Sequence, residues 1–261
     1  MDILERIVAD KRREIALKKS VIPAAQLQTS LLFERKPLSM ADNLRRKKAG
    51  IIAEHKRRSP SKSVINQDHS VEAIVSGYAT AGACGISVLT DSKYFGGSLD
   101  DLLLARAAVQ LPLLRKEFMV DEYQVLEAKA HGADVILLIA ALLTRNQIRN
   151  LSELAQGLGM EVLMEVHNEE ELHQSLMPSL DMLGVNNRNL KTFEVSLDTS
   201  KALAPLIPDA FVKVSESGIS SGDAIEALSA CGYRGYLIGE HFMKSKAPGQ
   251  CAADFIKQLE A

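Results

Sequence analysis

The sequence predicts an α/β fold: a (β/α)8 barrel of the TIM type, with a helical extension at its N-terminus. Three observations carry this. Short apolar runs recur from residue 50 onward at intervals of roughly 20 to 35 residues. Helix-like stretches fill the intervals, giving the strand–helix–strand spacing of parallel βαβ units. Eight such units in about 210 residues suit a closed barrel better than the alternative, an open doubly wound sheet.

Residues 1–48 precede the first strand and read as helices, with Ile3, Leu4, Ile7 and Val8 on one face and Ile15 continuing it. No Gly/Pro/Ser-rich linker follows, so residues 1–261 are expected to form one domain, with 1–48 packed on the barrel. The predicted strands are 51–53, 86–89, 112–114, 135–139, 162–164, 182–185, 211–214 and 236–238. The predicted helices between them are 71–81, 100–109, 121–131, 145–158, 169–175, 196–204 and 222–230. Asp100 and Asp121 are candidate N-caps, and Gly132, Gly159 and Gly232 stand where helix ends need a left-handed residue.

Composition narrows the function. A chain that is 46% hydrophobic and 25% charged can bury a large core. Its longest apolar run, residues 135–143, is far short of the roughly 20 residues of a membrane span. The N-terminus lacks an apolar signal core, and Cys84, Cys231 and Cys251 form no C-x-x-C pair, so reduced thiols in a cytoplasmic protein are expected. Residues 1–62 hold 16 Lys/Arg against 7 Asp/Glu, which a solvated amphipathic helix explains in large part. With only Phe33 as an aromatic in that segment, a nucleic-acid partner is not expected, and a small phosphorylated or carboxylated ligand fits better.

In a parallel barrel the reacting side chains stand at the C-terminal strand ends, and inward residues alternate along each strand. On the first strand Glu54 and Lys56 share the inward face, with His55 turned to the helices. The alternative for this pair is a structural ion pair. On the third, Lys116 and Phe118 lie inward and Arg115 outward; a lysine in a partly dry mouth can have its pKa lowered and act as an acid. On the fifth, Glu165 is inward, either as a reacting group or as a salt-bridge partner of Lys116. The sixth, G-V-N-N-R-N-L, puts Asn186 and Arg188 in one register, an amide for a hydroxyl and a guanidinium for an anion. S-E-S-G-I and L-I-G-E-H-F-M end the chain's last two strands, where Gly218 and Gly239 permit backbone amides to approach a phosphate and Ser217 adds a hydroxyl. No metal motif, G-x-G-x-x-G or Walker sequence occurs, so neither metal nor cofactor is expected.

These residues lie in blocks that closely resemble the indole-3-glycerol-phosphate synthase family: I-I-A-E-H-K-R-R-S-P-S-K, L-T-D-S-K-Y-F-G-G-S-L-D-D-L, L-L-R-K-E-F-M-V-D-E-Y-Q, L-M-E-V-H, G-V-N-N-R-N-L, S-E-S-G-I and L-I-G-E-H-F-M. The blocks fall in order over residues 51–243, and the resemblance includes the helical extension. It implies a carboxy-lyase of tryptophan biosynthesis that closes 1-(2-carboxyphenylamino)-1-deoxyribulose 5-phosphate to indole-3-glycerol phosphate, with loss of carbon dioxide and water. By resemblance, Lys116 is the general acid and Glu165 its acid/base partner. Lys56 holds the anthranilate carboxylate and Glu54 orients it. Ser59, Asn186, Arg188, Glu216 and Ser217 match substrate-binding positions. Phe95 and Phe118 match the apolar walls, and the backbones of Gly218, Gly239 and Glu240 match the phosphate cup. Association with other tryptophan-pathway enzymes is left open.

The sequence departs from the family pattern at His55, at Ser63 and at His241, where an apolar residue, a glycine and a small residue are usual. Ser63 lies in the loop from Arg57 to Asp68, which is expected to close over the mouth, with Arg57, Arg58 and Lys62 following an anionic ligand inward. The competing readings are another phosphosugar enzyme, either an isomerase or an aldolase using Lys116 as a Schiff base, and a barrel that binds an anion without turnover.

Overall fold

The computed structural model describes residues 3–59, 64–66, 68–190 and 192–260. Eight strands, β1 (Gly50–His55), β2 (Gly85–Leu89), β3 (Leu113–Lys116), β4 (Val135–Ile139), β5 (Glu161–Val166), β6 (Met182–Asn186), β7 (Val212–Glu216) and β8 (Gly235–Ile238), pair in parallel and in sequence order. β8 returns to β1, with Ile52 opposite Leu237, so the sheet is a closed barrel as the spacing of the apolar runs predicts.

Alternation along each strand divides the apolar residues into two cores. Ile52, Leu114, Leu137, Leu163, Met182, Val214 and Leu237 fill the barrel. Ile51, Ile86, Ile136, Val162, Leu183 and Tyr236 face outward to the helices. Each fully buried aliphatic side chain contributes roughly 1.5–3 kcal/mol, so a one-residue slip in any strand would exchange the two sets at great cost.

Three helices precede the barrel: α1 (Ile3–Val21), α2 (Ala24–Leu27) and α3 (Met40–Arg45). α3 closes the end where the strands begin. Ser39 caps it, the Glu161 carboxylate accepts from the amides of Met40 (2.8 Å) and Ala41 (2.9 Å), and Met40 and Leu44 are fully buried against the inner core. With that end shut, a ligand enters at the other.

The outer helices are α4 (Val71–Thr80), α5 (Ser92–Phe95), α6 (Leu99–Ala108), α7 (Glu122–Ala130), α8 (Arg145–Gly157), α9 (Glu169–Ser175), α10 (Asp198–Leu203), α11 (Gly222–Ser229), α12 (Glu240–Met243) and α13 (Pro248–Glu260). Asp121 caps α7 as expected. Asp100 does not cap α6: Ser98 takes that place, its hydroxyl accepting from the Asp101 amide, and Asp100 lies in the first turn. The serine reaches the third helical amide, and the acid then adds charge near the positive helix end. Gly132, Gly159 and Gly232 all have the expected positive φ. The terminal helix α13 follows the last predicted strand and was not predicted.

α1 lies across the open mouth. Ile7 and Ile15 are buried, as the apolar face predicts, and between them on that face Lys11 is also buried, at 2% exposed. Its Nζ lies 2.9 Å from Asp91 and 3.2 Å from Glu117, residues that follow β2 and β3. Burial alone would lower the Lys11 ammonium, but Glu117 and Asp91 hold it above the ordinary lysine value. The helix is thereby tied to the strand ends that carry the site.

Candidate active site

The inward residues at the C-terminal strand ends surround a cavity of about 440 Å³, lined by Glu54, Lys56, Lys116, Glu165, Asn186 and Glu216 among others. Lys116 joins two of these carboxylates. Its Nζ is 2.6 Å from Glu165 Oε2 and 2.9 Å from Glu216 Oε2. The Asn186 amide donates to Glu165 Oε1 at 3.0 Å. Lys56 pairs with Glu54 at 2.7 Å, and the Ser87 hydroxyl lies 3.4 Å from the other Glu54 oxygen.

Two glycines make room for the carboxylates. A Cβ on Gly184 would lie 2.4 Å from Glu216 Oε1, and one on Gly239 would lie 2.5 Å from Glu54 Oε1. The barrel register explains the first: Glu165 pairs with Gly184, and Gly184 with Val214, so Glu216 folds back over a position without a side chain.

Crowding three acids around one lysine changes the expected chemistry. A lowered Lys116 is what a dry mouth predicts; the structure gives the opposite. Burial does favour the neutral amine, but the charges of Glu165, Glu216 and Glu54 outweigh it and raise Lys116 above the ordinary value. Glu165 is also buried, yet Lys116 and then His167 hold its carboxyl well below the usual range. Glu216 goes the other way: burial, with the nearby charges of Glu165 and Glu54, lifts it to about 7 against the pull of Lys116. Two carboxylates on one ammonium are thus separated in proton affinity, the arrangement that assigns different acid–base roles to like groups.

The apolar side of the cavity comes from three places. Phe95 and Phe118 stand with ring centroids 5.9 Å apart. Ile3, Leu4 and Ile7 of α1 complete it. Their common face was legible in the sequence, but nothing local said that it covers the site. Phe95 is fixed through α5, whose N-cap Asp91 accepts from the amides of Tyr94 (2.6 Å) and Phe95 (3.2 Å) and also receives Lys11.

The last two strand ends form a backbone-lined corner of the same cavity, with Ser217, Gly218, Gly239 and Glu240 on its surface. Ser217 (φ 68°) and Gly218 (φ 79°) are consecutive left-handed residues. For Ser217 that conformation costs on the order of 1–3 kcal/mol, maintained by surrounding contacts. Asn187 supplies several, its Nδ2 donating to Ser215 Oγ and to the carbonyls of Glu216 and Ser217. The two asparagines of β6 and its loop therefore divide the work: Asn186 faces the cavity and Asn187 braces the corner. Glu240 opens α12, where first-turn amides lack helical acceptors.

Ser59 and Arg188 also line the cavity, and the Arg188 guanidinium donates to the Phe193 carbonyl at 3.2 Å. Arg57 and Arg58 rest on neighbouring loops. Arg57 forms a two-pronged pair with Asp101, and Arg58 donates to the carbonyls of Ser92 and Lys93. Well-placed acceptors on neighbouring loops take both guanidiniums. Lys62 and Ser63 lie outside the described residues. His55 is buried facing the helices, as alternation predicts, and His241 packs its ring 5.4 Å from that of Phe255. Lys244, on the cavity wall beside Glu240, was missed by sequence reasoning, as was His167 beside Glu165. Among the described residues no group of three or more His, Cys, Asp or Glu could hold a metal ion, and no helix is long and apolar enough to cross a membrane.

Comparison with known proteins bears on the fold and the family. Among solved structures, the tryptophan synthase subunit alpha from Legionella pneumophila superposes with a TM-score of 0.61 at 14% identity, covering 85% of this chain and 97% of that one. The thiamine phosphate pyrophosphorylase from Pyrococcus furiosus gives 0.60 at 17%, covering 82% and 97%. At such identity these likenesses show the barrel fold. Sequence relatives go further. The chain is 47% identical to the indole-3-glycerol phosphate synthase of Bacteroides thetaiotaomicron over 259 residues, 99% of each chain. It is also 47% identical to that of Chromobacterium violaceum, over 95% of this chain and 96% of the relative. The family model for indole-3-glycerol phosphate synthase matches residues 4–255. The chain therefore belongs to the indole-3-glycerol phosphate synthase family.

Proposed function

We propose that this cavity closes the pyrrole ring of indole-3-glycerol phosphate from 1-(2-carboxyphenylamino)-1-deoxyribulose 5-phosphate. The observation that carries the reading is Lys116, paired with both Glu165 and Glu216 in the lining of a cavity with an aromatic wall and a backbone-lined corner. The substrate's ring lies against Phe95 and Phe118, its carboxylate meets Lys56, and its phosphate meets the amides of Gly218, Gly239 and Glu240. This spans the cavity from its apolar to its polar side.

Lys116 then donates its proton to the ketone oxygen as the ring carbon bearing the carboxylate attacks the ketone carbon. Loss of carbon dioxide returns the bonding electrons to the ring. Expulsion of the former ketone oxygen as water, pushed by the ring nitrogen, and loss of a proton from the adjacent nitrogen-bearing methylene carbon complete the indole, with Glu165 taking up that proton and returning one to the departing hydroxyl, and Glu54 keeping Lys56 oriented. The preformed charge on Lys116 stabilises the developing oxyanion, and proton transfer by a placed acid contributes typically 10²–10⁴-fold. A Schiff-base aldolase needs a neutral, nucleophilic amine, and the carboxylates around Lys116 weigh against it.

The test is direct. Purified protein given this sugar phosphate should produce indole absorbance and fluorescence, and borohydride with substrate should trap no covalent adduct. Binding without product would leave a non-catalytic barrel, and a trapped adduct would support the aldolase.

A further inference from the structure

We infer that His167 is a positioning residue for Glu165, holding the edge of that carboxylate that Lys116 does not touch. The inference rests on the reading of Glu165 as the acid/base group. His167 directly follows β5, whose last inward residue is Glu165. Its Nε2 lies 3.4 Å from Glu165 Oε1, close enough for an ion pair though misaligned for a hydrogen bond, and this buried nitrogen has no hydrogen-bond partner. Its Nδ1 lies 3.0 Å from Glu171 Oε2.

Glu171 is itself held. Its Oε2 accepts from the His167 amide at 2.9 Å and its Oε1 from Asn168 Nδ2 at 2.9 Å, while its own amide donates to Asn168 Oδ1. The start of α9 is thus a rigid bracket for the imidazole. Glu171, His167, Glu165, Lys116 and Glu216 form one chain of alternating charge across the mouth.

Burial by itself would strip the proton from His167, but Glu165 and Glu171 overcome this and raise it to about 10. Arg188 and Glu194, on the wall of the recess that His167 and Glu171 also line, are the other charged groups on that side. The imidazolium does two things for Glu165. It lowers the proton affinity of the carboxylate, and together with Asn186 it engages Oε1, so that Oε2 remains toward Lys116 and the substrate. Once the Lys116 proton moves to substrate, the imidazolium still compensates the Glu165 charge.

Two measurements test this. In wild type, the ¹⁵N resonances of the His167 imidazole should remain those of the charged ring through pH 8, and Glu171→Gln should lower the titration. In His167→Gln, which keeps a neutral donor, kcat should fall by about tenfold with KM changed little. The acidic limb of kcat should also move to higher pH, because Glu165 loses a neighbouring positive charge. A wild-type His167 that titrates near its ordinary value, or an acidic limb that stays in place in His167→Gln while only thermal stability changes, overturns the inference. If His167→Gln does not fold, His167→Asn, a second neutral donor, serves for the kinetic limb, with the same upward displacement expected and the same overturning result, and the wild-type imidazole titration tests the inference independently of either variant. If wild type forms no indole product, the proposed activity falls, and the imidazole titration still decides whether the chain exists.

Discussion

Lys116 keeps its proton because carboxylates outweigh burial, and each of its partners then acquires a separate role. Replacing Lys116 by Met or Glu165 by Gln should reduce kcat by about 10²–10⁴-fold with a much smaller effect on KM, since proton transfer matters chiefly in the transition state. Steady-state kinetics decide this, and near-normal turnover in both variants would remove the assignment. Glu216 supplies a different test. Lifted to about 7, it is a carboxylate in the mouth that changes charge near neutrality. Glu216→Gln should therefore flatten the pH dependence of kcat/KM around pH 7; a limb that persists there belongs to another group. Sequence alternation identified Glu54, Lys56, Lys116, Glu165 and Asn186 as inward. It could not give the sign of the Lys116 shift, because that sign depends on how many carboxylates from other strands reach one nitrogen.

At the scale of elements, the decisive contact is α1 against the strand ends. The helix contributes Ile3, Leu4 and Ile7 to the cavity, and its buried Lys11 reaches Asp91, the N-cap of the short helix that carries Phe95. Lys11→Met keeps much of the side-chain volume but leaves Asp91 and Glu117 short of a buried cation. Breaking one side of such a pair costs about 3–5 kcal/mol. Urea unfolding of Lys11→Met should show a loss of about this size, and KM should rise as the apolar wall loosens. A stability change below 1 kcal/mol, by the standard of exposed pairs, would mean that the latch is unimportant. The amphipathic face of α1 was legible from its apolar spacing. Its placement over the mouth was not, because Asp91 and Glu117 are about 80 and 106 residues away and read locally as ordinary loop acids.

For the whole molecule, two buried histidines contribute in opposite senses to how stability responds to pH. Burial, reinforced by Arg57, lowers His55 to about 4. It is then neutral in the folded chain where the unfolded chain, with its ordinary value of 6.5, already binds a proton. Its favourable contribution is complete above pH 6.5 and is lost as pH falls toward 4, amounting to roughly 3 kcal/mol. His167, raised to about 10, acts in the opposite sense: its contribution is complete below 6.5 and is lost as pH rises through 10. Denaturation curves of His55→Leu should be less steep than wild type between pH 6.5 and 4; equal slopes would place the acid sensitivity elsewhere. Eight parallel strand–helix units, a closed barrel favoured over an open sheet, and the inward sense of Glu54, Lys56, Lys116, Glu165, Asn186 and Arg188 were legible in the chain alone. Those follow from local periodicity and from the short connections that parallel units require. The sequence also carried the family resemblance. The folded chain alone shows which side chains from different strands meet, that Arg57 rests on Asp101 and Arg58 on the α5 carbonyls, that α1 roofs the cavity, and that His167 stands against Glu165. Such contacts join residues far apart in the chain, and proton affinities depend on the distance and burial of every charge around a site, quantities that exist only once the barrel has closed.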